Sequence, residues 1–132
     1  MSSPTFRHIE AWLDTGVLVL TMTDKAVQGE DIAGALREEM LAALVRYPAT
    51  DVLVDFQRTQ YISSVAFWPL LSLYRKLVEK KGRLTVCGLS PTVGDVFYTT
   101  RLIYPGGALA SPFGVEPDVA TAVAHLSGAS TG

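Results

Sequence analysis

Two adjacent serines, Ser63 and Ser64, stand where an apolar strand gives way to a helix, in the stretch Gln57-Arg-Thr-Gln-Tyr-Ile-Ser-Ser-Val-Ala-Phe67. Serine at such a place has two uses. It is a preferred N-cap, because its hydroxyl accepts a backbone N–H of the first turn, and from spacing alone that is the commoner role. It is also a hydroxyl beside the positive end of a helix dipole, where free N–H groups welcome a phosphate. A phosphate there adds about −1.5 to −2 charges without breaking the fold. Counting forward from Ser64 by four, three and four reaches Trp68, Leu71 and Arg75. That line is distinct from the core line of Leu70, Leu73, Tyr74 and Leu77. Trp68 and Leu71 are therefore candidates for exposed apolar residues beside the serine, as suits a protein–protein interface. The alternative for Trp68 is cover by the loop at 104–113. Pro69 lacks an N–H, so a helix that begins at Ser64 has an irregular first turn.

The other reactive side chains do not assemble into a known chemistry. Ser64 with His8 or His125 is a triad in composition only: the serine is not in a Gly-x-Ser-x-Gly elbow, and no spacing links the histidines to it. Gly82, Gly88 and Gly94 form no phosphate loop, since no Gly-Lys-Ser or Gly-Lys-Thr follows. Cys87 lies in an expected buried strand and reads as a small core residue. His125, in an apolar terminal helix, reads as structural. Arg75, Lys76, Lys80 and Lys81 form a local basic face, best accounted for as a solvated helix end, with a site for an acidic partner as the alternative. No catalytic residue, metal or cofactor is expected, and no enzyme.

These residues must be positioned by the elements around them. Phe6 to Trp12 fits an edge strand, Asp14-Thr-Gly16 a turn, and Val17 to Met22 an apolar strand, together a hairpin. Asp31 is the expected N-cap of a first helix whose Ile32, Leu36, Met40, Leu41, Leu44 and Val45 share one face, ended by Pro48. Asp51 to Phe56 reads as a buried strand. The second helix carries Leu70, Leu73, Tyr74, Leu77 and Val78, with Lys80 and Lys81 in its last turn and Gly82 as its C′ residue. Arg83 to Gly88 is the next strand, so strand, helix and strand form a βαβ unit with parallel strands. Ser90-Pro91 opens a third helix running to about Arg101. Pro105-Gly-Gly107 is a loop, 108–113 a short edge strand, and Pro117 to Leu126 a last helix. The sum is one small α/β domain: a mixed β-sheet of four to five strands with about four helices. Residues 1–5 are an N-terminal lead-in, 6–126 the domain, and 127–132 a flexible tail.

Composition narrows the function. The chain has 132 residues, 48% hydrophobic and 18% charged, enough for one core and against disorder. Eleven Lys and Arg against thirteen acids leave no surplus for a general nucleic-acid-binding face. One cysteine and two histidines argue against a disulfide scaffold and a Cys- or His-rich metal site. The run Gly16-Val-Leu-Val-Leu20 is too short to insert in a membrane, and no signal-peptide pattern opens the chain. A cytoplasmic protein is the expectation.

An ordered set of pieces then shows a resemblance. Val52-Leu-Val-Asp-Phe56, Tyr61-Ile-Ser-Ser64, Leu70-Leu71, Gly82-Arg-Leu-Thr-Val86, Gly88-Leu-Ser-Pro91 and Thr100 at these spacings resemble a STAS domain, and in particular the bacterial anti-sigma factor antagonists. The resemblance covers about residues 6 to 126 and is strongest from 51 to 102. It implies a regulatory switch in transcription, phosphorylated on the serine at the start of the second helix by a partner that is both anti-sigma factor and serine kinase. The unmodified antagonist binds that kinase and frees the sigma factor, and a metal-dependent serine phosphatase resets it. By position Ser64 matches the phosphoacceptor, Ser63 the residue where many members have Asp, and Asp55 the acid ending the strand before the loop. Ser63, Val65, Trp68, Leu71 and Asp55 would form the switch and partner interface, although Asp55 also reads as a solvated strand-end charge. The molecule would be a monomer or a dimer. Val65 and Ala66 stand where the family has small residues, Ala66 in place of a Gly, and Arg101 replaces the Gly of a Thr-Gly-Leu signature. Bulky Phe67, Trp68 and Pro69 imply a particular partner or a weakened phosphorylation. Two other classes stay open. One is a non-phosphorylated STAS scaffold or transporter-accessory module that binds an ATPase or other STAS proteins. The other is a small-ligand or nucleotide-binding module.

Overall fold

A computed structural model describes residues 6–100 and 113–128. Its sheet begins with a hairpin. Strand β1 (Ile9–Asp14) turns through Thr15 and Gly16 into β2 (Val17–Met22), pairing antiparallel with Asp14 opposite Val17. Both turn residues have positive φ, 53° and 85°. That is the two-residue turn whose twist matches the flanking strands.

The rest of the main sheet is parallel. The strands β2, β4 (Asp51–Asp55), β6 (Arg83–Cys87) and β7 (Gly114–Glu116) lie side by side in that order after β1. Between them run α1 (Glu30–Arg46), α2 (Phe67–Glu79) and α3 (Pro91–Thr99), with α4 (Val119–Leu126) last. The mixed five-stranded sheet with four helices is the expected architecture, and β4–α2–β6 is the expected parallel unit. The strand expected over 108–113 lies outside the described residues apart from Phe113, as does the loop at 105–107. The edge strand that pairs with β6 is β7, through Thr85 and Gly114, Val86 and Val115, and Cys87 and Glu116.

The sheet is covered on both faces, which explains why all six residues of β2 are buried. Alternation sorts them. Leu18, Leu20, Val52, Val54, Leu84 and Val86 join the larger core under α1, α2 and α3, with Leu36, Met40, Leu70, Leu73, Leu77 and Phe97. Val17, Val19, Leu53 and Cys87 point to the other face and meet Ala122 and Val123 of α4. Cys87 is thus a buried core residue, as expected.

Two helix ends differ from the sequence reading. Helix α1 starts one residue before Asp31, behind Gly29 at φ 92°, and Asp31 accepts no cap bond. Glu30 and Asp31 instead sit in the first turn, favourable against the positive dipole end. At the end of α2 the left-handed C′ residue is Lys81, at φ 60°, not Gly82. The N–H of Lys81 donates to the Val78 carbonyl at 2.9 Å and that of Gly82 to the Leu77 carbonyl at 2.7 Å, a Schellman pair with Gly82 at C″. Gly82 is required for another reason: a Cβ there would lie 2.2 Å from the Thr50 carbonyl oxygen. That carbonyl accepts the Arg83 N–H that starts β6.

Candidate functional site

The serine pair is delivered by a small second sheet that sequence patterning missed, since each of its strands is only two residues long. Strand β3 (Ala26–Val27) pairs parallel with β5 (Tyr61–Ile62), and Val27 and Ile62 are buried. The Ser63 N–H donates to the Val27 carbonyl at 3.0 Å. The Lys25 carbonyl accepts from Gln60 and Tyr61, and Thr59 Oγ1 donates to the Asp24 carbonyl at 2.8 Å. The loop before the serines is therefore pinned to the segment following β2.

From Ser63 the chain enters a 3₁₀ turn at Ser64–Ala66, and α2 begins only at Phe67. The irregular first turn expected from Pro69 is present. Proline now occupies the third position of the α-helix, where its missing N–H needs no intrahelical acceptor. Neither serine is a side-chain cap: no cap bond forms at Ser63, the residue before the turn, or at Ala66, the residue before α2. Among the described residues neither hydroxyl has a hydrogen-bond partner, and the N–H groups of Ser64 and Val65 have no acceptor. Ser64 is exposed, Ser63 and Val65 half-buried.

The bulky residues of this turn divide sharply. Ala66, Phe67 and Pro69 are buried. The Phe67 ring meets Phe97 edge-on at 5.0 Å between centroids, and Phe56 meets Phe97 at 5.5 Å. Phe67 and Pro69 are core packing, not partner-specific surface. Trp68 alone turns outward, with 51% of its surface exposed, and Leu71 is half-buried beside the core. Two neighbours of Trp68 were not legible in the sequence. Arg37 of α1 lies over its ring at 5.9 Å, and Arg37 Nε donates to Ser72 Oγ at 3.0 Å. Gly34 also faces it, for a Cβ there would be 3.7 Å from the indole. Arg37 and Ser72 are 35 residues apart and no local pattern joins them. Tyr61, 45% exposed opposite buried Ile62, was missed because β5 was missed; its alternation with Ile62 was the available signal.

Asp55 is not a solvated charge and not a contact surface. It is 2% exposed. Oδ1 accepts the Gln57 N–H at 3.0 Å and Oδ2 the Thr21 hydroxyl at 3.3 Å, and the Cys87 thiol approaches at 3.8 Å. It anchors the start of the loop that leads to the serines. Gly88 makes room for it: φ is +69°, and a Cβ would sit 2.8 Å from Asp55 Oδ1. Burial, then the Asp55 charge, push the Cys87 thiol up to about 12, so it is no nucleophile at neutral pH.

The histidines are elsewhere. His8 Nδ1 lies 2.6 Å from Asp24, and His125 Nδ1 3.0 Å from Glu116 at the other end of the fold. Among the described residues no cluster of three or more His, Cys, Asp or Glu is placed to hold a metal, and no helix is long and apolar enough to cross a membrane.

This order of elements, with a serine turn leading into the helix between two central parallel strands, defines a class. The STAS domain model matches residues 5–104, and the chain belongs to the STAS domain family. Solved structures of similar fold include an anti-sigma factor antagonist from Mycobacterium paratuberculosis, at TM-score 0.71 and 19% identity, covering 89% of this chain and 92% of that one. RsbS of Moorella thermoacetica aligns at TM-score 0.72 and 10% identity, over 96% of this chain and 100% of its own. The Bacillus cell fate determinant SpoIIAA in its phosphorylated form aligns at TM-score 0.61 and 16% identity, over 89% and 96%. No curated protein is a match by sequence.

Proposed function

We propose that the protein is a phosphorylation-switched anti-sigma factor antagonist, with Ser64 as phosphoacceptor. The observation that carries this reading is the state of Ser64: exposed, uncapped, and at the start of a turn whose first two N–H groups, those of Ser64 and Val65, have no acceptor among the described residues. A side chain with a structural role would be bonded. This one is free to enter another protein's active site, and its turn can accommodate a phosphate. Trp68, one turn along and held from α1 by Arg37, supplies the apolar anchor beside it.

The partner is an anti-sigma factor that is also a serine kinase. It binds the unmodified surface of Ser63, Ser64, Val65, Trp68 and Leu71, with Asp55 holding the loop from beneath. A dianion placed in that packed interface is buried charge without a partner, which costs several kcal/mol. A loss of about 3 kcal/mol weakens binding about a hundredfold. A metal-dependent serine phosphatase reverses the modification.

The test is intact-mass analysis of protein from its native host, with fragment mapping, paired with binding of Ser64→Ala and Ser64→Glu to the kinase. Phosphate on Ser64, with tight binding by the alanine variant and about a hundredfold weaker binding by the glutamate variant, is expected. Equal affinities sink the switch. A chain that is never phosphorylated and elutes in a stable large assembly is instead a STAS scaffold or transporter-accessory module.

A further inference from the structure

We propose that the C-terminal half of the seam between α1 and α2 is a second docking groove, built for an acidic amphipathic segment of a partner protein. The two helices run side by side in the same direction. Gly34 and Arg37 face Trp68 and Ser72 at one end, while Leu41, Leu44, Val45 and Pro48 meet Lys76, Glu79 and Lys80 at the other. At that second end the seam opens into a groove of about 390 Å³. Its α1 wall is aliphatic: Leu44 is buried, Leu41 half-buried, and Val45, at the rim, is 80% exposed. A β-branched residue gains little in a solvated helix position, so an exposed Val45 beside Leu41 marks unpartnered apolar surface.

Charge selects the occupant. Lys76 and Lys80 rim the groove from α2, and Arg46, Arg75 and Lys81 lie at the same end of the two helices. Among the described residues none of these five makes an ion pair, whereas Arg58 and Arg83 each do; Arg46 instead lies over the Tyr47 ring at 5.0 Å. Cations at helix ends do offset the dipole. That accounts for their sign but not for the apolar groove between them. A carboxylate-bearing segment that sets one or two aliphatic side chains on Leu41 and Val45 satisfies both features. The groove is concave and sized for side chains, which suits a protein segment better than a flat lipid surface. From Trp68 to Lys76 is eight residues of helix, about 12 Å. The groove is thus separate from the serine surface and can be filled in either state of Ser64.

The experiment titrates the full chain with a synthetic helical peptide carrying leucines four residues apart flanked by glutamates, followed by backbone amide chemical shifts. Phosphatidylglycerol vesicles and a second copy of the chain are titrated in parallel. Saturable shifts confined to Leu41, Leu44, Val45, Lys76 and Lys80 are expected. They should weaken about tenfold in Lys76→Glu/Lys80→Glu and likewise in Val45→Asp, and be unchanged in Ser64→Glu. Both variants change exposed residues, and unchanged circular dichroism shows that they fold. Shifts spread evenly over Arg7, Arg58 and Arg83, stronger binding to vesicles, or self-association through the groove would each overturn the proposal. The switch is read by kinase binding and phosphate mapping and the groove by peptide shifts, so the failure of one is distinguishable from the failure of the other.

Discussion

Cys87 and Asp55 are one unit. The carboxylate accepts from the Gln57 N–H and the Thr21 hydroxyl, and the thiol lies against it in the face covered by α4. Removing the acceptor leaves buried donors without partners, which costs about 1–3 kcal/mol. Asp55→Ala should lower the urea midpoint accordingly and loosen residues 57–60 in hydrogen exchange. The thiol has a sign of its own. Its pKa is raised from 9.0 to about 12 because burial, and then Asp55, disfavour the thiolate. The folded state therefore holds its proton more tightly than the unfolded chain. The stabilisation is complete below pH 9 and is lost as pH rises toward 12. Denaturation midpoints of wild type and Cys87→Ala measured across that window should converge as pH rises, the wild type having the steeper decline. Parallel curves would mean that the thiol is not protected.

At the scale of the element, α2 matters most, and its two ends follow opposite logic. The N-terminal end is left open: a 3₁₀ turn in which the Ser64 and Val65 N–H groups have no acceptor among the described residues and no side chain caps it. The C-terminal end is closed by a Schellman pair in which Lys81 bears the left-handed conformation and Gly82 the close approach to Thr50. A non-glycine residue in that conformation costs about 1–2 kcal/mol. Lys81→Gly should therefore raise stability by about 1 kcal/mol, while Gly82→Ala should lower it by more than that, since the Cβ must displace backbone. Thermal melts of the two variants distinguish this arrangement from the simpler one in which Gly82 is the C′ residue, which predicts loss from both. The sequence pattern located this helix, its basic end and its core face apart from Val78, which is 51% exposed, because these features are local. It missed the open start, because β3 and β5 are too short to carry a period and their pairing joins residues 35 apart.

For the whole molecule, stability and the proposed recognition surface sit on different residues. The cores under α1–α3 and under α4 do not need Trp68, half of which faces solvent. Trp68→Ala should leave the melting temperature nearly unchanged and cost about 2 kcal/mol or more in kinase binding, as truncation of a central aromatic anchor does. A melt that collapses instead would make Trp68 a core residue. Arg37→Ala should give a milder loss of binding, because the arginine holds the indole through a ring contact at 5.9 Å and Ser72 through a hydrogen bond.

The mixed α/β class, the βαβ unit, the hairpin and the place of the serine turn are legible in the chain alone. Each is written in spacings of two or of three to four residues and in turn residues such as Gly16, Pro48 and Pro91, which act over a few bonds. What those residues do depends on long-range contacts. Tertiary structure buried Phe67 and Pro69 and left Trp68 outside, although the three are contiguous. It turned Asp55 from a strand-end charge into an internal anchor, moved the left-handed residue from Gly82 to Lys81, and set Arg37 against Ser72. These outcomes depend on which distant backbone arrives at 3 Å, and nearest-neighbour chemistry carries no record of that.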